Sequence, residues 1–332
     1  MLKKRPFEFP GEKAIRVICD TDAYNECDDQ FCVAHLWMTP RFDVKAMIAA
    51  QYGHVMNVQG TEQKSYDELV NLATLMDIRD EVNILHGGVT ALPDENTPVD
   101  SEGARFIIEE AMKDDPRPLF VCFLGATTEI ASAYLMEPRI ADKLTVVWIG
   151  GGAYPEGNFE FNQGNDINAA RVLYKSNIEL WQVPMNVYTT MKISYFEMMN
   201  KIYPCGKIGK YLVEHAMDFG KQFDQIIASM ADNPAAASIR ICIDKRGASV
   251  SKAAAATSFG GELWSLGDSP VVGIMLNNTM GRYEMHDAPG DVGLDGKYDW
   301  SKPSSRKVRV YKDIDSHFIL NDMIEKLQFY FG

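Results

Sequence analysis

The chain has 332 residues, of which 46% are hydrophobic and 11% aromatic, the composition of a globular protein rather than a disordered one. Its formal net charge of −13 at pH 7 argues against nucleic-acid binding, because a protein that follows phosphates needs a basic surface. No stretch approaches the roughly 18 consecutive apolar residues of a membrane span, and residues 1–18 lack the apolar core of a signal peptide. We therefore expect a protein that binds a small molecule, with no nucleic-acid and no membrane partner.

Strands and helices alternate along the first 190 residues. The segment AIRVICD (14–20) predicts a strand, and CDDQFCVAHLWM (27–38) predicts a helix with apolar side chains along one face. The same patterns predict further strands at 44–51, 82–87, 118–125, 144–152 and 179–184, and helices at 62–76, 101–113, 128–136 and 167–176. Several of these strands are almost continuously apolar, as is typical of parallel strands that are covered on both faces. The alternation predicts an α/β fold with one doubly wound, mostly parallel sheet.

Regular alternation ends near residue 190. Residues 191–265 predict a mainly helical elaboration, which includes an amphipathic stretch from Tyr211 to Met230. Residues 266–332 contain a strand, KVRVY (307–311), and a final helix (316–331), so we expect them to return to the core. Because no linker, repeat or low-complexity segment interrupts the sequence, we predict a single domain over residues 1–332, with its α/β core at 14–190.

The six cysteines form no Cys-x-x-Cys pair, and several lie in apolar segments. Free cysteine in such a segment behaves as a small apolar side chain. This usage fits a reducing compartment better than a disulfide-stabilised secreted protein, so we expect a cytoplasmic location.

Acidic residues are crowded directly after the first predicted strand. The segment VICDTDAYNECDDQF holds five acids, namely Asp20, Asp22, Glu26, Asp28 and Asp29. Any one of these acids could simply be a helix N-cap. A cap needs only a single carboxylate, however, so capping does not explain all five. In an open α/β sheet, ligands bind at the carboxyl ends of the strands. The cluster therefore favours a bound cation at that edge.

Polar residues also follow later strands. Asn158, Glu160 and Asn162 follow the strand at 144–152, and Asp268 lies in the segment WSLGDSPVV. Carboxylate, amide and backbone carbonyl oxygens are ligands for Ca²⁺ or Mg²⁺, whereas the six scattered histidines give no support to a zinc site.

Several segments, taken in order, resemble the inosine–uridine nucleoside hydrolases. The strand followed by Asp-x-Asp and Asp-Asp is similar to that family's signature, Asp-x-Asp-Pro-Gly-x-Asp-Asp. The segments FLGATTEIASAYLMEPRIADKLTVVWIGGG, EGNFEFNQGNDINAA and LGDSPVV resemble its later blocks, the first of which carries Leu-Thr-Asn-Ile-Ala in the family. The resemblance spans roughly residues 14 to 330. It implies the nucleoside-hydrolase fold, a nucleoside or pentoside substrate, and a homo-oligomer, either a dimer or a tetramer.

The resemblance also implies a metal site. Asp22, Asp29, Asp268 and the backbone carbonyl of Leu124 would bind Ca²⁺, with Mg²⁺ as the alternative ion. Asp22 would in addition be the catalytic base that takes the proton of the attacking water. Asp20 would support these ligands from behind.

The remaining implied roles concern the sugar. The residues that would hold the hydroxyl groups of the ribosyl ring are Asp28, Asn158, Glu160 and Asn162. Cleavage of an N-glycosidic bond passes through an oxocarbenium-like sugar. The metal would activate water, and nearby carboxylates would favour the growing positive charge.

Two departures from the family pattern bear on the substrate. Between Asp22 and Asp28 stand the five residues AYNEC, where the family has Pro-Gly-x, so Asn25 and Glu26 either recognise the C5 side of the sugar or form a bulged surface loop. Gly267 stands where inosine-type members have a histidine that protonates the leaving base, and glycine cannot donate a proton.

Three other side chains could contact a ligand. His54 lies where the family pattern has a sugar-binding asparagine, and either it or His286 could replace the missing acid, although each also fits a structural role. Trp264, just before Asp268, could stack on the leaving group or fill the core.

The leading hypothesis is Ca²⁺-dependent hydrolysis of the glycosidic bond of a non-standard nucleoside or another pentoside. A binding protein that keeps the metal and the sugar pocket without catalysis is an alternative, favoured by Gly267 and opposed by the retained base Asp22. A Mg²⁺ phosphatase with an aspartate nucleophile is a weaker alternative. Such enzymes usually have a small residue at the position of Tyr24, and no phosphate-anchoring lysine block is evident.

Overall fold

A computed structural model describes residues 7–229, 262–301 and 304–332. Its strands are β1 (Ile15–Thr21), β2 (Phe42–Ala49), β3 (Ile84–His86), β4 (Leu119–Phe123), β5 (Thr145–Ile149), β6 (Glu179–Val183), β7 (Lys192–Ser194), β8 (Leu263–Ser265), β9 (Tyr283–Asp287), β10 (Asp291–Val292), β11 (Tyr298–Asp299) and β12 (Lys307–Tyr311). Its α-helices are α1 (Asp29–Met38), α2 (Thr61–Leu75), α3 (Glu102–Ala111), α4 (Thr128–Met136), α5 (Phe161–Asn165), α6 (Ile167–Lys175), α7 (Met185–Tyr188), α8 (Tyr195–Glu197), α9 (Gly206–Ser229), α10 (Pro270–Leu276) and α11 (Ser316–Phe331).

The main sheet of the described residues has eight strands in the order β3-β2-β1-β4-β5-β6-β12-β9. Neighbouring strands in it are parallel, except that β9 runs antiparallel to β12. The predicted α/β fold with a mostly parallel sheet is confirmed. The strand β12 pairs with β6. The assignment of residues 1–332 to a single domain stays a prediction.

Alternation within each strand explains why both faces of the sheet are covered. Every residue of β1 is buried. Val17 and Cys19 belong to one apolar cluster, whereas Ile18 between them belongs to the cluster on the other face. Successive side chains of a strand point to opposite faces, so an unbroken apolar run fills two helix-packed layers at once.

The region after residue 190 is only partly as predicted. The long helix α9 accounts for most of the amphipathic stretch, but β7 and β8 pair as a small antiparallel sheet that was not expected. Three-residue strands are too short to show a period of two in the sequence. Residues 230–261, which include Met230 at the end of that stretch, lie outside the described residues.

The five cysteines that the structure describes are free and buried. Within residues 7–229, 262–301 and 304–332, none of the helices combines the length and the apolarity that crossing a bilayer demands.

The sheet order places the acidic segment at a topological switch point. From β1 the chain proceeds to β2 and β3 on one side, and later to β4, β5 and β6 on the other. The carboxyl ends of β1 and β4 are joined at this point by a hydrogen bond from Leu124 N to Asp20 O of 2.9 Å. A crevice at such a reversal is where ligands bind in doubly wound sheets.

Candidate active site

Three carboxylates converge just beyond the carboxyl end of β1. Within the described residues, Asp28, Asp29 and Asp268 each offer an oxygen within 4.8 Å of the others, the arrangement of a cation site. Asp29 opens α1, and Asp268 lies just before α10, so two helix starts bring acids from distant parts of the chain together. The Thr21 hydroxyl donates to Asp29 Oδ1.

The electrostatics of this cluster are unfavourable without a cation. Burial, followed by repulsion from Asp28, raises the pKa of Asp29 to about 7. Burial raises the pKa of Asp28 to about 6, although backbone N–H groups, among them that of Gly267, oppose the rise. Burial and repulsion from Asp28 and Asp29 also raise the pKa of Asp268 well above its ordinary value. A divalent cation would stabilise all three in the ionised form.

Asp22 lies beside this group, against the turn that follows β4. Its side chain is buried, and a Cβ added to Gly125 would lie 2.8 Å from its Oδ1. Burial, and then repulsion from Asp29 and Asp28, raises its pKa well above the ordinary value. Its Oδ2 is buried with no hydrogen-bond partner. Buried polar atoms are rarely left unsatisfied, so this oxygen fits contact with a cation or a water molecule.

Asn162 links the predicted metal ligand Leu124 to the neighbouring strand. Its Nδ2 donates to the carbonyl oxygen of Leu124 at 2.6 Å and to that of Ile149 at 2.9 Å. Both amide protons are therefore used on the ends of β4 and β5. Only its Oδ1, together with the second lone pair of the Leu124 carbonyl, remains for a ligand.

Glu160 is buried, with 1% of its surface exposed. Its Oε1 accepts from Asn162 N and from the Tyr188 hydroxyl, and its Oε2 accepts from Gly151 N and Gln163 N, all at 2.8–3.1 Å. Four bonds fill the acceptor capacity of a carboxylate. Asn158, predicted beside it, is partly buried and donates from Nδ2 to Phe159 O at 3.1 Å.

Asp20 and Glu129 form a second pair of buried acids. The sequence analysis did not predict Glu129 as a site residue. Burial and then repulsion from Glu129 raise the pKa of Asp20 well above its ordinary value, and burial raises the pKa of Glu129 to about 7. Glu129 Oε1 accepts from Gly88 N at 2.5 Å. The sequence did contain an indication that this position is unusual, because Glu129 stands where the resembling family block has asparagine.

The AYNEC loop packs against α9. Asn25 N donates to Asp22 O at 2.8 Å, which closes a turn, and Asn25 and Glu26 are half-buried. His215 of α9 places its Nε2 3.3 Å from Glu26 O and 3.2 Å from the side-chain nitrogen of Gln30. The sequence reading did not single out His215, because nothing local shows that α9 reaches this loop.

His54, His286 and Trp264 are the other predicted ligand-contacting residues. His54 is exposed in the turn after β2, and His286 lies on the edge strand β9, 3.1 Å from Glu284 Oε2. Trp264 is buried in the core and contacts the Phe219 ring edge-on, with 5.6 Å between the ring centroids.

Gly267 faces the site. A Cβ added to it would lie 2.9 Å from Tyr188 Cδ2 and 3.2 Å from Asp28 Oδ2. The place of the expected histidine is therefore bordered by a tyrosine that the sequence reading did not consider.

Comparison with known proteins decides the family. Residues 17–320 match the family described as inosine-uridine preferring nucleoside hydrolase. The chain belongs to this family. The resemblance expected from the sequence is confirmed.

Individual relatives agree with this assignment. The chain is 35% identical over 111 residues to the inosine-uridine preferring nucleoside hydrolase of Crithidia fasciculata, covering 30% of this chain and 34% of that protein. The match therefore spans about a third of that relative's length. The non-specific ribonucleoside hydrolase RihC of Salmonella enteritidis is 25% identical over 220 residues, covering 60% and 70% of the two chains.

The solved structure of the purine-preferring ribonucleoside hydrolase from Gardnerella vaginalis shares the fold. Its TM-score is 0.70 at 17% identity, covering 94% of this chain and 98% of that one.

Proposed function

We propose that this member of the nucleoside hydrolase family hydrolyses the glycosidic bond of a ribosyl compound in a Ca²⁺-dependent reaction. The observation that carries the proposal is the convergence of Asp28, Asp29 and Asp268 beside the unpartnered Oδ2 of Asp22, at the switch point of the sheet. The names of the matched relatives support the reaction class.

The donor set fits a hard divalent cation. Asp22, Asp29, Asp268 and the Leu124 carbonyl would hold it, and every one of these donors is an oxygen, as Ca²⁺ prefers, with Mg²⁺ as the alternative. When bound, the ion supplies positive charge that lowers the pKa of nearby water.

The residues of the chain would divide the remaining work. Asp22 would accept the proton of the attacking water, because its Oδ2 is buried and has no hydrogen-bond partner within the described residues. Asp28 would hold sugar hydroxyl groups, with Asn158 and Asn162 around it. The clustered negative charge would favour the oxocarbenium-like transition state over the neutral substrate.

The substrate we propose is a non-standard nucleoside or another pentoside. Gly267 offers no proton, and His54 and His286 lie in an exposed turn and on the edge strand of the sheet. A leaving group that departs without protonation would suit such a site. The absence of an acid at position 267 also favours a second candidate, a sugar-binding protein that does not turn over its ligand.

Release of reducing sugar tests the proposal. The purified protein is incubated with a panel of nucleosides, base-modified nucleosides and simple pentosides, in Ca²⁺ or in a chelator. Asp22→Asn is assayed in parallel, with the exposed Asp114→Asn as the matched control. We expect Ca²⁺-dependent release that Asp22→Asn abolishes and Asp114→Asn retains. Ligand binding by calorimetry without turnover would support the binding protein instead, and full activity of Asp22→Asn would refute the mechanism.

We also infer a cytoplasmic homo-oligomer. The free, buried cysteines support a reducing compartment, and the dimer or tetramer is inferred from the family resemblance. Light scattering of the eluted protein measures the oligomeric state.

A further inference from the structure

A hairpin between β9 and β12 packs on the segment that carries the predicted sugar-binding residue Asn158. The hairpin consists of β10 and β11, in which Val292 lies opposite Tyr298. The segment comprises residues 150–158 and follows β5 directly. The two are joined by the Tyr298 hydroxyl, which donates to Gly152 O at 3.0 Å across a separation of 146 positions.

The hairpin also holds this segment through its backbone. Tyr298 N donates to Glu156 O at 3.1 Å. A Cβ on Gly296 would lie 2.3 Å from Asn158 O, closer than real Cβ contacts, and the φ of Gly296 is +75°, which glycine adopts without strain. No side chain separates the two backbones at this point, so Asn158 lies directly against the hairpin.

The hydroxyl of Tyr298 has a full set of partners. The residue is buried, and its oxygen lies 3.2 Å from the Tyr174 hydroxyl and 3.3 Å from Gln182 Nε2. A phenol has one proton to donate and two lone pairs that accept, so Tyr174 and Gln182 fill the acceptor sites while the proton goes to Gly152 O. Burial raises the pKa of Tyr298 to about 12, so this proton is retained at neutral pH.

Gly151 and Gly152 lie between this hydroxyl and two site residues. A Cβ on Gly151 would lie 2.8 Å from the Tyr298 hydroxyl oxygen, and a Cβ on Gly152 would lie 2.8 Å from Asn158 Oδ1. Gly151 N donates to Glu160 Oε2 at 2.8 Å. Because the two glycines contact the hydroxyl on one side and the site residues on the other, a change in their position would be passed to Asn158 and Glu160.

Glu160 connects the glycines to the proposed cation site. Its Oε1 accepts from Asn162 N at 3.1 Å, and Asn162 Nδ2 donates to Leu124 O, a proposed Ca²⁺ donor, at 2.6 Å. Groups that orient a metal ligand through hydrogen bonds change the affinity for the ion without touching it. Hydrogen bonds of 2.6–3.1 Å therefore link the Tyr298 hydroxyl, through the glycines, to the Leu124 carbonyl.

We propose that Tyr298 is a positioning residue of this site. Through the two glycines, its hydroxyl places Asn158 against the sugar and Asn162 against the Leu124 carbonyl. The inference rests on the proposed function, whose sugar and metal contacts it assumes, and deepens it by adding a residue from a distant part of the chain. Tyr298 would contact neither the sugar nor the ion. Loss of its hydroxyl weakens contacts that the substrate and the transition state share, which raises KM and leaves kcat nearly unchanged.

The test removes the hydroxyl and keeps the ring, in Tyr298→Phe. The metal-free variant is titrated with calcium chloride by calorimetry, and KM and kcat are measured on the best substrate of the panel. We expect a Ca²⁺ Kd roughly 3-fold and a KM roughly 10-fold above the parent values, with kcat within about 2-fold, because one hydrogen bond is lost. Tyr203→Phe is the matched control, since its hydroxyl donates to Glu214 Oε1 at 3.2 Å and neither residue belongs to the site.

Further variants test whether the effect passes through the named residues. In an Asn158→Ala background, Tyr298→Phe should raise KM no further, and in an Asn162→Ala background it should weaken Ca²⁺ binding no further, because coupled residues are not additive. Trp300, directly after the hairpin, donates from Nε1 to Pro155 O at 2.7 Å. Trp300→Phe should therefore also raise KM, and it replaces Tyr298→Phe if that variant does not fold.

The outcomes separate a positioning role from a structural one. A lower Tm of Tyr298→Phe with the parent value of either KM or Ca²⁺ Kd would overturn the inference and leave the proposed function standing. An undiminished effect in the Asn158→Ala or Asn162→Ala background would overturn it as well. If the wild-type protein turned over no compound, the hydrolase proposal would be overturned, and the Ca²⁺ titration would still decide the inference.

Discussion

Removal of Ca²⁺ should make the stability of this protein fall as the pH rises. In the unfolded chain, Asp28 and Asp29 ionise near 3.8, whereas burial raises the pKa of Asp28 to about 6 and that of Asp29 to about 7 in the folded chain. Between these values the folded state holds protons that unfolding releases. Rising pH therefore favours the unfolded state of the metal-free protein, opposite in sign to the usual aspartate in a salt bridge.

The size of the effect follows from the two shifted groups. Each proton that only the folded state holds lowers the free energy of unfolding by about 1.4 kcal/mol for each unit of increase in pH. Between pH 6 and pH 8, Asp29 loses most of its proton and Asp28 about half of one, so we expect a loss of about 2 kcal/mol in the free energy of unfolding. For a chain of 332 residues that corresponds to a decrease of about 3 °C in Tm. Saturating Ca²⁺ keeps both carboxylates ionised, so the part of the pH dependence that Asp28 and Asp29 cause should disappear.

Thermal unfolding at pH 6, 7 and 8, in chelator and in saturating Ca²⁺, measures this difference. Ca²⁺ should raise Tm more at pH 8 than at pH 6. Asp29→Asn provides the control, because it removes the larger titration and should flatten the profile in chelator. Identical profiles with and without Ca²⁺, or a metal-free Tm that increases towards pH 8, would refute the reasoning about the cluster.

Three more changes have expected outcomes. Asp22→Asn should lower turnover at least 100-fold, the usual contribution of a general base, while circular dichroism stays that of the parent; a smaller loss would argue for another base. Gly125→Ala places a methyl group about 2.8 Å from Asp22 Oδ1 and should weaken Ca²⁺ binding measured by calorimetry, whereas unchanged affinity would separate Asp22 from the metal. Glu129→Gln keeps an acceptor for Gly88 N and removes the repulsion on Asp20. Chemical denaturation at pH 8 should therefore show a free energy of unfolding about 1 kcal/mol higher than that of the parent. A lower value would indicate that the two acids share a stabilising proton.

The fold was largely predictable because its signals are local. Apolar runs such as PLFVCFLG, set between helical patterns, predict buried parallel strands, and β4 and its neighbours are where those runs lie. The acids after β1 were visible for the same reason, since they stand within one loop. The sequence could not show which partners a polar side chain binds through its hydrogen bonds. Glu160 reads the same whether it binds a sugar or caps α5.

Contacts between segments that lie far apart in the sequence could not be predicted either. Tyr188 and Gly267 meet only because α7 and the segment before α10 come together, and no spacing rule links their positions. The same holds for His215, which reaches the AYNEC loop from α9. The three-residue strands β7 and β8 were missed because they offer too few residues for a period to appear.

The acidic cluster also has a consequence for the order in which the protein is made. Asp268 meets the first helix of the chain, and its carbonyl accepts from Cys32 Sγ across a separation of 236 positions. The ribosome must therefore synthesise the 236 positions from Cys32 to Asp268 before the last carboxylate can join the other two. A divalent ion bound there would act as a reversible cross-link between the earliest and a late segment, and it would stabilise the chain by closing a loop whose entropic cost grows only slowly with its length. Cation affinity in this protein would thus report that synthesis and folding have both reached the α10 helix.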